Sequence, residues 1–175
     1  YTITFHYNDG TDRIEKVQDI HYGDKFPNVN YKSSKVGYAF KGYYAESGEI
    51  YYTNEMKPTK VDYLVDGDLD LYAELDIINY TIKYDLDGGT NNPNNPTSAT
   101  IEENKTLFEP TNAPLAFLYW SYNGEEISNN LNELIEILDE HITNITLKAI
   151  WTDTHIINVY GSFDYGDVSL PKVKI

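Results

Sequence analysis

The sequence predicts a mostly β chain of α+β class, in which two tandem copies of a small repeat follow one another and only the second carries a short helix. Three observations predict it. Aromatic and aliphatic residues alternate with period two at the start of both halves, the same landmarks return after 76 to 79 residues, and one stretch from Asn130 has apolar residues at helical spacing.

The first strand of the first copy is Tyr1-Thr2-Ile3-Thr4-Phe5, which recurs as Tyr80-Thr81-Ile82-Lys83-Tyr84. Successive strand side chains point to opposite faces, so Tyr1, Ile3, Phe5 and Tyr7 share one face, as do Tyr80, Ile82, Tyr84 and Leu86. Each strand runs into a turn signal, Asn8-Asp9-Gly10 or Asp87-Gly88-Gly89, whose residue types accept positive φ at little cost. A hairpin follows, with return strands at residues 14–17 and, after the Asn/Pro-rich loop at 91–96, at residues 99–101. In the middle, Tyr38-Ala39-Phe40-Lys41-Gly42-Tyr43-Tyr44 matches Leu115-Ala116-Phe117-Leu118-Tyr119-Trp120-Ser121. The last strand, Leu69-Asp70-Leu71-Tyr72-Ala73-Glu74-Leu75, matches Ile145-Thr146-Leu147-Lys148-Ala149-Ile150-Trp151.

The copies differ between these strands. Residues 130–141 carry Leu131, Leu134, Ile135 and Leu138 on one helical face, and Asn130 with Glu133 resembles a capping box. The corresponding residues 52–64 contain Pro58, which interrupts a helix, so a turn or irregular crossover is expected there. The expected division is residues 1–76, residues 80–152, and a tail at 153–175. That tail reads as a degenerate or truncated third repeat or as a docking strand, because residues 155–159 resemble a first strand and Tyr165-Gly166-Asp167 echoes Tyr22-Gly23-Asp24.

Composition supports compact cores without disulfides. A hydrophobic share of 41%, with 17 Tyr and 6 Phe, argues against a disordered chain, and the absence of Cys excludes thiol nucleophiles and thiolate metal sites. A net charge of −15 opposes nucleic acid and anionic lipid. No run approaches the ~20 apolar residues of a membrane helix, and the start at Tyr1 is expected of a piece of a longer precursor.

The landmarks Tyr1 to Phe5, Tyr22-Gly23-Asp24, Pro27, Gly37-Tyr38-Ala39-Phe40-Lys41-Gly42-Tyr43-Tyr44 and Leu69 to Leu75 resemble the Listeria-Bacteroides repeat, the internalin B-repeat type. That pattern usually has Trp where Tyr43 and Leu75 stand, and the second copy has it, as Trp120 and Trp151. The second copy departs elsewhere. Ala113-Pro114-Leu115 replaces the Gly-Tyr stretch, and Glu103-Asn104-Lys105 replaces Tyr-Gly-Asp. The resemblance implies tandem β-grasp, ubiquitin-like units with mixed sheets, in which the first and last strands are neighbours. It also implies an extracellular protein, secreted or attached to a bacterial surface, with the repeats acting as stalks or accessory adhesion surfaces.

Chemistry finds little support in the residues. His6, His21, His141 and His155 lie in different elements without metal-ligand spacing, and His141 is expected at a helix C-terminus. Asp66-Gly67-Asp68-Leu69-Asp70 lacks the length and distal Glu of a calcium loop, and Leu69 and Leu71 claim the inward face, so a solvated strand is expected. No nucleophile elbow or phosphate loop is present, and the adjacent pairs Glu102-Glu103 and Glu125-Glu126 point apart on a strand or turn. A non-catalytic protein without cofactors or metals is expected.

Tyr43, Tyr44, Tyr51 and Tyr52 form the candidate binding surface, because neighbouring strand residues face opposite sides and strict alternation exposes some of them. Their alternative is to cover the sheet's second face or to pack between copies. Two functions therefore stand: a spacer with accessory adhesion, or a specific module for a host protein or glycan. Accessory service to a larger secreted enzyme is a third, and neighbouring domains of the parent chain are partners in any of them.

Overall fold

The computed structural model describes residues 1–153 and, as backbone only, four short strands in the tail. The first half contains β1 (Ile3–His6), β2 (Ile14–Val17), β3 (Tyr38–Tyr44), β4 (Ile50–Thr53) and β5 (Leu69–Ile77). They form one sheet in the order β2-β1-β5-β3-β4, in which only β1 and β5 run parallel. The second half contains β6 (Tyr80–Asp85), β7 (Ser98–Ala99), β8 (Phe117–Tyr122), β9 (Glu125–Ile127), helix α1 (Leu131–Ile135) and β10 (Asn144–Trp151). Its sheet repeats the order as β7-β6-β10-β8-β9, with β6 and β10 parallel. Both are mixed sheets with first and last strands adjacent, as the β-grasp resemblance implies. A parallel pair cannot be closed by a hairpin, so each repeat threads its remaining strands and loops between its two central ones.

Each sheet has its own core. In the first, Ile3, Phe5, Leu69, Leu71 and Ala73 point inward from the central strands. Phe5 sits edge-on to Tyr31, Tyr43 and Tyr52, with ring centroids 5.1–5.3 Å apart. In the second, Ile82, Tyr84, Ile145, Leu147 and Ala149 hold the same stations, and Trp120 packs 5.2 Å from Tyr84 and 5.3 Å from Phe117. Burial of apolar area contributes about 25 cal/mol per Å², and here it is collected in two separate clusters.

The turn residues behave as their types require. Asn8 and Gly10, and Asp87 and Gly88, all adopt positive φ at the ends of β1 and β6. Register also matches between copies. Tyr43 pairs with Ala73 as Trp120 pairs with Ala149, and Phe40 pairs with Leu75 as Phe117 pairs with Trp151.

Several expectations change. Helix α1 ends at Ile135, so the helical spacing at Leu138 is met by successive turns, with Ile137 donating to the Leu134 carbonyl and Leu138 to that of Ile135. His141 therefore stands beyond the helix, in a turn with Asp139. The Asn130 side chain does cap the helix, but through the Asn132 N–H at 3.0 Å rather than that of Glu133. The second return strand stops at Ala99, and β8 begins at Phe117 rather than Leu115: the Leu115 N–H donates to the Asn112 carbonyl in a turn and the Ala116 N–H to the Thr152 hydroxyl oxygen. In the first copy, residues 53–62 form the irregular crossover expected of Pro58, closed by Thr53 N–H to the Lys57 carbonyl and a bridge from Tyr52 to Pro58.

In the tail, β11 (Ile156–Ile157) pairs antiparallel with β14 (Val173–Lys174), and β12 (Tyr160–Phe163) with β13 (Gly166–Ser169). His155 and Tyr165 lie outside the described residues, and with them the reading of the tail as a third repeat or a docking strand.

Candidate functional site

The tyrosine cluster divides sharply. Tyr43 and Tyr52 are 0% exposed and Tyr51 is 8% exposed, while Tyr44 is half-buried. Three of the four residues chosen as a binding surface are thus core residues, and two β-bulges are the reason. Phe40 pairs with Leu75 and Gly42 with Glu74, which leaves Lys41 as an extra residue and brings Phe40 and Tyr43 to one face. Tyr43 pairs with Tyr52 and Tyr44 with Ile50, so Tyr51 is the extra residue on β4 and turns inward onto Phe26 beside Tyr52. Strict alternation does not hold across a bulge.

The buried phenols keep a polar use. Tyr43 donates to the Tyr31 carbonyl and Tyr52 to the Pro27 carbonyl, each at 2.8 Å, so both tie the loop between β2 and β3 to the sheet. In the second repeat Trp120 stands at the position of Tyr43, and its indole N–H reaches the Phe108 carbonyl at 3.3 Å. Ring burial plus one donor at the tip is the shared requirement. Burial pushes the phenols of Tyr43 and Tyr52 well above their ordinary range.

Tyr44 belongs to a different surface. Register aligns Ile14, His6, Tyr72, Tyr44 and Ile50 in one row across all five strands, on the face opposite the core. His6 stacks on Tyr72 at 4.5 Å and pairs with Asp70 through Nε2 at 2.8 Å. Tyr72 and Ile14 remain 37% and 43% exposed. The second repeat replaces the row with Asp85, Lys148, Ser121 and Glu126. The parity of Phe5 and Leu71 already implied that His6 and Tyr72 face outward. What the sequence withheld was the cross-strand register that makes them neighbours.

The carboxylates of the run from Asp66 to Asp70 are each engaged. Asp66 accepts the Tyr1 hydroxyl at 2.6 Å, Asp68 the Thr2 N–H at 2.8 Å, and Asp70 pairs with His6, so this run pins β5 to the start of the chain. Leu69 and Leu71 between them are buried. Glu103 pairs with Lys105 and accepts the Thr100 N–H, which in that order hold its carboxyl below the usual range, while Glu102 turns away to the Tyr38 hydroxyl. Glu125 and Glu126 lie on β9 opposite Tyr122 and Ser121. His21 pairs with Asp24 at 3.3 Å, and no three His, Asp or Glu side chains gather as a metal-binding group among the described residues.

A third region lies where the repeats meet. Lys32, Lys35 and Tyr38 of the first repeat face Tyr80, Leu138 and Asp139 of the second across a cleft of about 460 Å³. Beside it, Glu140 pairs with Lys32 and accepts the Phe40 N–H at 3.2 Å. Partial burial works to raise the Glu140 carboxyl, but these two partners hold it below its ordinary range.

A family model for the Listeria-Bacteroides repeat domain matches residues 1–74 and again residues 80–150. The chain belongs to the Listeria-Bacteroides repeat family. The two matches follow the two five-stranded sheets, so the Listeria-Bacteroides repeat is here one mixed sheet with one core. Neither the curated proteins nor the solved structures provide a match to the chain. Repeats of this family are typically non-catalytic modules that occur in surface or secreted proteins. No described helix is long and apolar enough to cross a membrane.

Proposed function

We propose that this chain is a non-catalytic segment of an extracellular bacterial protein, secreted or surface-attached, in which the tandem repeats space other domains of the parent chain from its anchor. The observation that carries the reading is the pairing of two separate cores, each closed by its own sheet, in one chain. Such units add length and solubility without sharing structure, and the net charge of −15 keeps an exposed rod dispersed. The test is reach. With the chain displayed between a cell anchor and a fluorescent reporter, deletion of residues 80–152 should lower the reporter's height above the surface, measured by interference microscopy. An unchanged height contradicts the spacer.

The outer row of the first repeat favours an accessory adhesive role toward a host protein or glycan. Ile14, His6, Tyr72 and Tyr44 offer apolar and aromatic surface with polar tips, and the second repeat keeps the fold while giving that row up. The combined variant His6→Ala, Tyr44→Ala and Tyr72→Ala removes this surface without touching the core. Its binding to host-protein and glycan arrays should fall at least tenfold while its circular dichroism stays that of the parent. Equal binding by the folded variant contradicts the adhesive role.

A further inference from the structure

The spacer reading leaves open whether the two repeats are loosely strung or stiffly joined, and the residues at their junction bear on that. Strand β5 ends at Ile77 and β6 begins at Tyr80, so only Ile78 and Asn79 connect them. Ile78 is buried in the second core and donates its N–H to the Gly37 carbonyl of the first repeat at 2.9 Å. Ala39 of the first repeat packs against that same second core.

At Gly37 the repeats approach closely. This glycine has φ 75°, and a Cβ there would run into the side chain of Ile101. Ile101 is held in place by Asn132 of α1, whose side-chain amide donates to the Ile101 carbonyl at 2.7 Å and to the Asn104 side chain at 2.8 Å. Two polar contacts flank the close approach. The Tyr38 hydroxyl donates to Glu102, with Lys35 seated 4.0 Å from the Tyr38 ring centroid, and Glu140 joins Lys32 to the Phe40 N–H. Both ends of the 32–40 segment, Lys32 and Phe40, are therefore held by Glu140, and Tyr38 between them is held by Glu102 from a separate segment of the second repeat.

We infer that residues 32–40 of the first repeat form a docking pole for the following repeat, and that Gly37-Tyr38 makes the junction a stiff joint of fixed angle. Relative motion is the default for linked domains unless the interface is built against it. A connection of two residues, a close approach that only glycine fits, and carboxylate clamps on either side build against it here. The pole is also selective. Pro114 and Leu115 stand in the second repeat where Gly37 and Tyr38 stand in the first, so that copy lacks both the glycine and the phenol. A repeat bearing Gly-Tyr at this register carries a successor, and one bearing Pro-Leu does not carry one in the same way.

The inference rests on the spacer reading and is tested separately from it. The chain has no native Cys, so Ser47→Cys and Glu125→Cys place one spin label on each repeat, far from the junction. Electron–electron dipolar spectroscopy should give one narrow distance distribution. Gly37→Ala should broaden it at least twofold. The combined Tyr38→Phe and Glu140→Ala variant, which removes both side-chain clamps, should broaden it as well. Circular dichroism and hydrogen exchange within each sheet should stay unchanged in both variants. A broad distribution in the parent chain, or a narrow one that neither variant alters, overturns the stiff joint. Either result leaves the deletion test of reach intact, since a flexible pair of repeats is still a spacer.

Discussion

At the scale of single residues, tyrosine does two jobs in this fold, and burial separates them. Tyr43, Tyr52, Tyr63 and Tyr84 sink their rings into the cores and spend their hydroxyls on the carbonyls of Tyr31, Pro27, Gly67 and Pro96. Removing one hydroxyl strands a carbonyl, so Tyr43→Phe should cost about 1 kcal/mol in denaturant unfolding of the first repeat. No change in midpoint would mean that the bond to the Tyr31 carbonyl contributes nothing. The same burial makes stability depend on alkali. It raises these phenols from an ordinary 10.0, that of Tyr63 to about 12 and the other three further. The unfolded chain then loses protons near pH 10 while the folded chain keeps them, so their contribution is whole below pH 10 and is lost as pH climbs through the folded values. The phenolate absorbance of these four tyrosines should appear only as the repeat that holds each of them loses its circular dichroism above pH 10. Complete phenol titration near pH 10 with the fold intact would contradict the buried assignments.

At the scale of elements, the strands were legible from alternation, turn signals and the recurrence between copies, and β2, β3 and the start of β5 lie where those signals put them. Bulges are not written that way. Lys41 and Tyr51 are ordinary strand residues in sequence, and only the pairing of Phe40 with Leu75 and Tyr44 with Ile50 shows that each is an insertion. That hidden offset is why Tyr43, Tyr51 and Tyr52 looked like a surface and are core. Gly42 is the one trace it leaves. It adopts φ 141°, and a Cβ there would collide with the Tyr52 carbonyl oxygen, a backbone atom that cannot swing aside. Gly42→Ala should therefore destabilise the first repeat by more than about 1 kcal/mol and leave the second unfolding as before. A neutral result would show that the bulge tolerates a side chain. The helix shows a similar limit, since apolar spacing from Leu131 to Leu138 fits both a helix of about two turns and the short helix with following turns that is present.

At the scale of the molecule, the recurrence that organised the sequence is a recurrence of core stations. Tyr43 and Trp120 occupy one station and Leu75 and Trp151 another, on strands with the same neighbours. Sequence also carried the family, because those stations are what the family pattern records. It could not carry the junction, which depends on Gly37 meeting Ile101 across two folded units. Nor could it reveal the outer row, whose members come from five strands. The spacer role depends on the two interiors being separate, and Leu71 lies fully buried at the centre of the first. Replacing it with Ala should cost about 2–5 kcal/mol, and hydrogen exchange measured by mass spectrometry reports where that loss falls. Amides of β1, β3 and β5 should lose protection, those of β6, β8 and β10 should keep it, and only the junction around Ile78 and Ile101 should loosen on the second side. Equal loss of protection across both sheets would mean one shared interior, and two independent repeats could not then be the basis of this protein's function.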